Sequence, residues 1–106
     1  MITDDQLEAA LKYMSETDEA AAQAKSRLAI LEKQEKTVLG LAFLSTKGNN
    51  AEREYTARTS GDYLKWQADH KNAVYEHETY RNKRIRCEAV IEVWRSINAN
   101  RRRGNL

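Results

Sequence analysis

Proline is absent from this chain, and glycine occurs only four times in 106 residues. Ring-locked kinks are therefore excluded, and positions for a tight left-handed turn are few. Cys87 is the single cysteine, so an internal disulfide is impossible and a reducing, cytoplasmic setting is expected. No run of about 18 apolar residues occurs, which argues against a membrane-spanning helix. The start, Met1-Ile2-Thr3-Asp4-Asp5, lacks the basic and apolar stretches of a signal peptide. Strand formers are sparse.

Catalytic signals are equally scarce. There is no glycine-rich phosphate loop, no serine elbow and no metal-ligand spacing. His70 and His77 share a helix face, but two turns separate them by about 10 Å, too far for both rings to reach one zinc ion unaided. Cys87 has no identifiable base to orient it as a nucleophile and reads as a small packed side chain. Acid pairs such as Glu52 with Glu54 and Glu76 with Glu78 are ordinary solvated helix charges. Neither an enzyme nor a cofactor is expected.

What remains is helix. Charged residues make up 32% of the chain, and alanine is abundant. Strongly apolar side chains are few for this length, so one copy would bury a thin core. The expected fold is all-α: an elongated helical hairpin of long amphipathic helices that completes its core by self-association.

Thr3 and Gln6 fit a capping box that opens an acidic N-terminal helix over 1–16. Ser15-Glu16-Thr17-Asp18 is a second start signal, which restarts the helix or bends it. A second helix over 18–46 carries Ala24, Leu28, Leu31, Val38, Leu39 and Ala42 in a stripe, widened by Ile30, Leu41 and Phe43. Glu35 interrupts a strict heptad. Lys47-Gly48-Asn49-Asn50 breaks the chain: Gly48 suits a helix end, and Asn49 or Asn50 suits the next cap. A long helix over 51–98 follows, with a possible kink at Thr59-Ser60-Gly61. Its core side reads Tyr55, Tyr63, Trp66, Ala73, Val74, Ile85, Ala89, Val90, Val93, Trp94 and Ile97. The basic tail, 99–106, lacks periodicity and is expected to fray.

Charge is distributed unevenly. The first nineteen residues hold six acids against Lys12, while 81–106 hold eight basic residues against Glu88 and Glu92. The net total of +2 hides that polarity. An arginine-rich end is a candidate footprint for a polyanion; a solvated face is the competing reading. The late cations are Arg81, Arg84, Arg86, Arg95, Arg101, Arg102 and Arg103, with Lys83 among them. A second group, Lys33, Lys36, Lys47, Arg53 and Arg58, surrounds the Gly48 turn. It is interleaved with Tyr55 and, through Lys65, with Trp66. Single-stranded nucleic acid needs such a mixture, since phosphates take the charge and bases stack on rings. Helical spacing alternatively assigns Tyr55, Tyr63 and Trp66 to the core.

The stretch 25–104 resembles the small recombination mediators of tailed phages, the UvsY type. The residues that carry the resemblance are Leu31-Glu32-Lys33-Gln34-Glu35-Lys36, the apolar run to Leu44 and the Lys47-Gly48 turn. Glu52-Arg53-Glu54-Tyr55, Ser60 and the helix through Val93-Trp94-Arg95-Ser96 to a basic end complete it. The resemblance implies a ring-forming, all-helical protein of the bacterial host cytoplasm. Such a protein binds single-stranded DNA and helps a RecA-like recombinase displace the single-strand-binding protein; an annealing protein is a further partner to consider. In that family the helix before the glycine turn carries DNA-binding cations. Here the matching positions are the uncharged Gly40 and Ala42, which shifts that role to Lys36, Lys47, Arg53 and Arg58. The alternative is a helical adaptor, scaffold or host-factor inhibitor that acts by protein contacts alone.

Overall fold

The computed structural model describes residues 1–104; Asn105 and Leu106, the end of the basic tail, lie outside the described residues. Three helices follow in order: α1 (Asp4–Leu44), α2 (Asn50–Arg58) and α3 (Gly61–Arg102). No strand occurs among the described residues. The fold is an all-α helical hairpin, with α2 in the return.

Local chemistry sets the helix ends. Thr3 Oγ1 accepts from the Gln6 amide, and the Gln6 side chain accepts from the Thr3 amide, so two amides at the start of α1 are satisfied reciprocally. At the other end Ser45 and Thr46 donate their hydroxyls to Ala42 O and Phe43 O, and α1 stops before Gly48. Gly48 has φ +120°, and a Cβ there would stand 2.5 Å from Glu52 Oε2. The left-handed φ is what calls for glycine; the Glu52 carboxylate, at the end of a flexible side chain, could swing away. Of the two candidate caps, Asn49 is the one used: its Oδ1 accepts from the Glu52 amide, and its Nδ2 donates to Glu52 Oε1.

The helix limits differ from the sequence reading in three places. The start signal at 15–18 opens nothing, because α1 runs through it unbroken. Thr17 donates its hydroxyl back to Tyr13 O, and Thr17 and Asp18 both accept from Arg84, so their side chains are occupied away from the backbone amides they would cap. Next, the helix expected over 51–98 is two helices. Thr59 Oγ1 donates to Tyr55 O and Ser60 Oγ to Ala57 O, closing α2, while Ser60 Oγ accepts from the Tyr63 amide at the start of α3. Finally, helix persists to Arg102, where the sequence reading has a frayed tail from residue 99. Cations in a last turn favour the helix dipole.

Contacts divide the chain into two units. One comprises Gln23–His77. Its core is Trp66 and Tyr63 with Ala24, Ala57 and Ala73, small residues that let helices approach closely. Tyr63, Trp66 and His70 form a ladder of near-parallel rings, with centroids 5.5 and 4.9 Å apart. Trp66 Nε1 donates to Leu31 O at 2.8 Å, and the Tyr63 hydroxyl donates to Glu35 Oε2 at 3.0 Å. Glu35, the interruption in the α1 stripe, is thus the acceptor for a buried phenol. Burial and the Glu35 carboxylate raise the Tyr63 hydroxyl above its ordinary 10.0. Arg27 pairs with Glu76 across the same two helices.

The other unit comprises Met1–Ala22 with the described part of Glu78–Leu106. Ala10 is its one buried residue among those described. Four residues expected on the core side of the long helix are exposed: Tyr55 of α2, and Ile85, Ala89 and Val93 of α3. Tyr55 stands 72% exposed because α2 turns Ala57, not Tyr55, inward. For Ile85 and Val93 the face that meets α1 is the one carrying Arg84, Cys87, Ile91 and Trp94, which are half-buried.

Candidate nucleic-acid interface

The twelve candidate cations fall in both units and have different environments. Arg84 is enclosed, its side chain only 18% exposed. It donates to Met14 O at 3.0 Å, Thr17 Oγ1 at 2.9 Å and Asp18 Oδ1 at 3.1 Å. A guanidinium has five N–H donors in a rigid fork, so one side chain can tie α3 to a backbone carbonyl, a hydroxyl and a carboxylate of α1 together. Arg84 is a fastener between helices and is not available to a ligand.

Arg53 is similarly engaged. Its Nε and Nη2 donate to Phe43 O, and its guanidinium lies 4.0 Å from the centroid of the Phe43 ring. It satisfies a carbonyl at the end of α1 and covers an aromatic face. Arg58, Arg81 and Arg95 pair with Glu54, Glu78 and Glu92 on their own helices. These pairs are exposed and of the kind worth about 0.3–0.5 kcal/mol. Their charge is partly compensated, yet a phosphate can compete for it.

The remaining seven have no carboxylate partner among the described residues. Lys33, Lys36 and Lys47 are exposed in the unit that holds the aromatic core, and Arg86, Arg101, Arg102 and Arg103 are exposed in the other. The aromatics expected to alternate with cations divide as well: Tyr63 and Trp66 are buried in the ladder, which leaves Tyr55 as the open ring near the Gly48 turn. The candidate site therefore draws open cations from each unit, and an open ring from only one. Its densest open element is the arginine triplet.

Helix register explains why the triplet is open. Arg84 reaches Met14 O, and Lys83 lies over the Tyr13 ring at 4.3 Å. Both helices rise about 1.5 Å per residue and run antiparallel, so Ile97 comes about level with Met1. Arg101, Arg102 and Arg103 extend past the start of α1, with no facing helix to supply carboxylates. No ion pair among the described residues joins the acidic head, Asp4, Asp5 and Glu8, to the triplet.

Helical periodicity was the signal that separates the two kinds of arginine. Arg84, Cys87, Ile91 and Trp94 recur at three and four residues, which marks Arg84 as facing inward. Arg86, two residues on, points the other way. Charge counting alone treats them as equivalent. The pairing of Lys83 with Tyr13 and that of Arg27 with Glu76 had no comparable signal, since both depend on the inter-helix register.

Among the described residues no three histidine, cysteine, aspartate or glutamate side chains gather in metal-ligand range. His70 is occupied as the end of the aromatic ladder. No helix among the described residues is long and apolar enough to cross a membrane. Comparison with known protein families, curated proteins and solved structures finds no match in any of the three.

Proposed function

We propose that this chain is a non-enzymatic accessory protein that grips the sugar–phosphate chain of single-stranded DNA. Arg101, Arg102 and Arg103 are its principal contacts, and Arg86, Lys33, Lys36 and Lys47 its secondary ones. The observation that carries the reading is the overhang: three adjacent guanidiniums beyond the end of the facing helix, free of carboxylates among the described residues. Phosphate contacts of this kind give affinity without base preference, because the charge lies on the backbone. One triplet binds weakly. Several copies in one assembly would convert weak contacts into avidity.

The biological setting follows from the resemblance to phage recombination mediators. In that setting the chain loads or stabilises a RecA-like recombinase or an annealing protein on strands held by a single-strand-binding protein. The acidic start of α1, from Asp4 to Glu19, offers a surface for a basic partner. Arg53 and Arg84 drop out of the binding set, since each is enclosed by protein acceptors.

The test is polarisation of a labelled oligo-dT strand. Affinity should fall steeply between about 50 and 200 mM salt. A flat response would contradict the electrostatic account. The second reading, an adaptor that acts only through protein contacts, draws on the five engaged arginines and the exposed apolar residues. It predicts no strand binding at any salt, together with a stable complex with one protein partner.

A further inference from the structure

We infer that the groove beside the aromatic ladder binds an aliphatic diamine, with its ammonium groups on Glu32 and Glu35. The groove runs between α1 and α3 inside the unit of Gln23–His77. Its volume, about 680 Å³, is within the range of small-molecule sites. Glu32 and Glu35 stand on its α1 side, and Tyr63, Trp66, His70 and Val74 on its α3 side. No lysine or arginine lines it.

Charge sets the sign of the ligand. Glu35 is half-buried, and its Oε2 accepts from the Tyr63 hydroxyl at 3.0 Å. A phenol is a neutral donor, so it satisfies one oxygen without cancelling the charge. Glu32 is exposed, and no ion pair among the described residues uses either carboxylate. Lys36, one turn on from Glu32, makes none with it, and Arg58 pairs with Glu54. Two negative charges in a groove lined by no positive one favour a cation, most strongly at the carboxylate that water screens less.

The same contacts set the form of that cation. One Glu35 oxygen already accepts from Tyr63, so the two-bond fork of a guanidinium does not have both oxygens open to it there. An ammonium is a compact charge with three donors and needs a single oxygen from each carboxylate. A dedicated metal cage needs more ligands, and among the described residues no third metal-binding side chain joins these two. Glu32 and Glu35 are three residues apart on one helix, which sets their Cβ atoms about 5–6 Å apart. Ammonium groups joined by about three or four methylenes match that interval. Val74 and the rings of α3 give those methylenes an apolar wall.

This site goes beyond the proposed function and uses none of the residues assigned to strand contact, so it is tested without DNA. The full chain is titrated with 1,3-diaminopropane at low salt and followed by NMR at its two indole N–H signals. The Trp66 signal, from the N–H that donates to Leu31 O beside the groove, should shift to saturation while that of Trp94 stays in place. Added salt should weaken the binding. Glu32→Gln with Glu35→Gln keeps an acceptor for Tyr63 and should weaken binding about tenfold, with the parent's helical signal by circular dichroism. Glu32→Gln alone, at an exposed position, should weaken it about threefold. Glu8→Gln, an exposed acid of the other unit, should leave it unchanged. Propylamine, with one ammonium group, should bind more weakly than the diamine. No saturable shift at Trp66, equal shifts at both indoles, a double variant that binds like the parent, or equal binding of Mg²⁺ at the same charge concentration overturns the inference. If N-acetyl-lysine methylamide binds as tightly as the diamine, the groove is a receptor for lysine side chains and the diamine assignment falls.

Discussion

The two units solve the same packing problem with different chemistry. The unit of Gln23–His77 closes around rings: Trp66 and Tyr63 are buried, stacked and hydrogen-bonded to α1, and alanines fill the close approaches. The unit that pairs the start of α1 with the end of α3 has Ala10 as its one buried residue among those described. It relies on Arg84 across three acceptors and on Lys83 over Tyr13. Its larger apolar side chains, among them Leu7, Met14, Ile91 and Trp94, are only half-buried. A guanidinium clamp needs only well-directed acceptors. The difference teaches that a basic segment can be structural at one residue and open at the next.

Removing the ring at the centre of the first unit should have the largest effect. Trp66→Ala is expected to cost about 3–5 kcal/mol, the range for deleting a buried aromatic. Thermal melting by circular dichroism checks it. A loss below 1 kcal/mol would mean that the ladder is ornamental and the units do not differ as described. The clamp should matter less. Arg84→Met keeps the stem and removes the donors, with an expected loss of about 1–3 kcal/mol. Amide exchange should quicken in 4–22 and 78–100 while the amides around Trp66 stay protected. Equal quickening in both units would erase the distinction between them.

A smaller effect concerns alkaline pH. The folded state holds the Tyr63 hydroxyl above 10.0, so it favours the neutral form. That contribution is full below the unfolded value and disappears as pH rises through the higher folded one. Tyr63→Phe should cost about 1 kcal/mol near neutrality and should show a shallower alkaline decline than the parent. Parallel declines would indicate that another group sets the alkaline limit. Smallest of all is the stability effect of replacing Arg101, Arg102 and Arg103 by alanine, within about 0.5 kcal/mol, because they touch nothing that holds the fold together.

Much of this fold is legible in the sequence. The Thr3 and Gln6 box, the Gly48 turn and the all-helical composition are local signals, and local chemistry decides them. Trp66 and Tyr63 follow from helical spacing. The failures share one cause. Thr17 and Asp18 look like a helix start until Arg84, 66 or more residues away in sequence, occupies them. Tyr55 looks like core until α2 proves to be a separate short helix. The candidate site divides the same way. Arg101, Arg102 and Arg103 are recognisable as a cluster from the sequence alone. Their openness is a consequence of register, which no count of charges contains. Arg53 is the opposite case, a cation beside an aromatic whose real neighbour, Phe43, lies across a turn.

The most direct test of the central claim, that the overhanging triplet grips phosphates, is the salt slope of single-strand binding. The logarithm of the association constant for oligo-dT is measured against that of salt concentration, for the parent chain and for Arg101→Ala, Arg102→Ala, Arg103→Ala combined. Each phosphate contact on a single strand contributes about 0.7 to the slope, so the triple variant should lose about 2 while its helical signal is unchanged. Identical slopes for the two proteins would contradict the account.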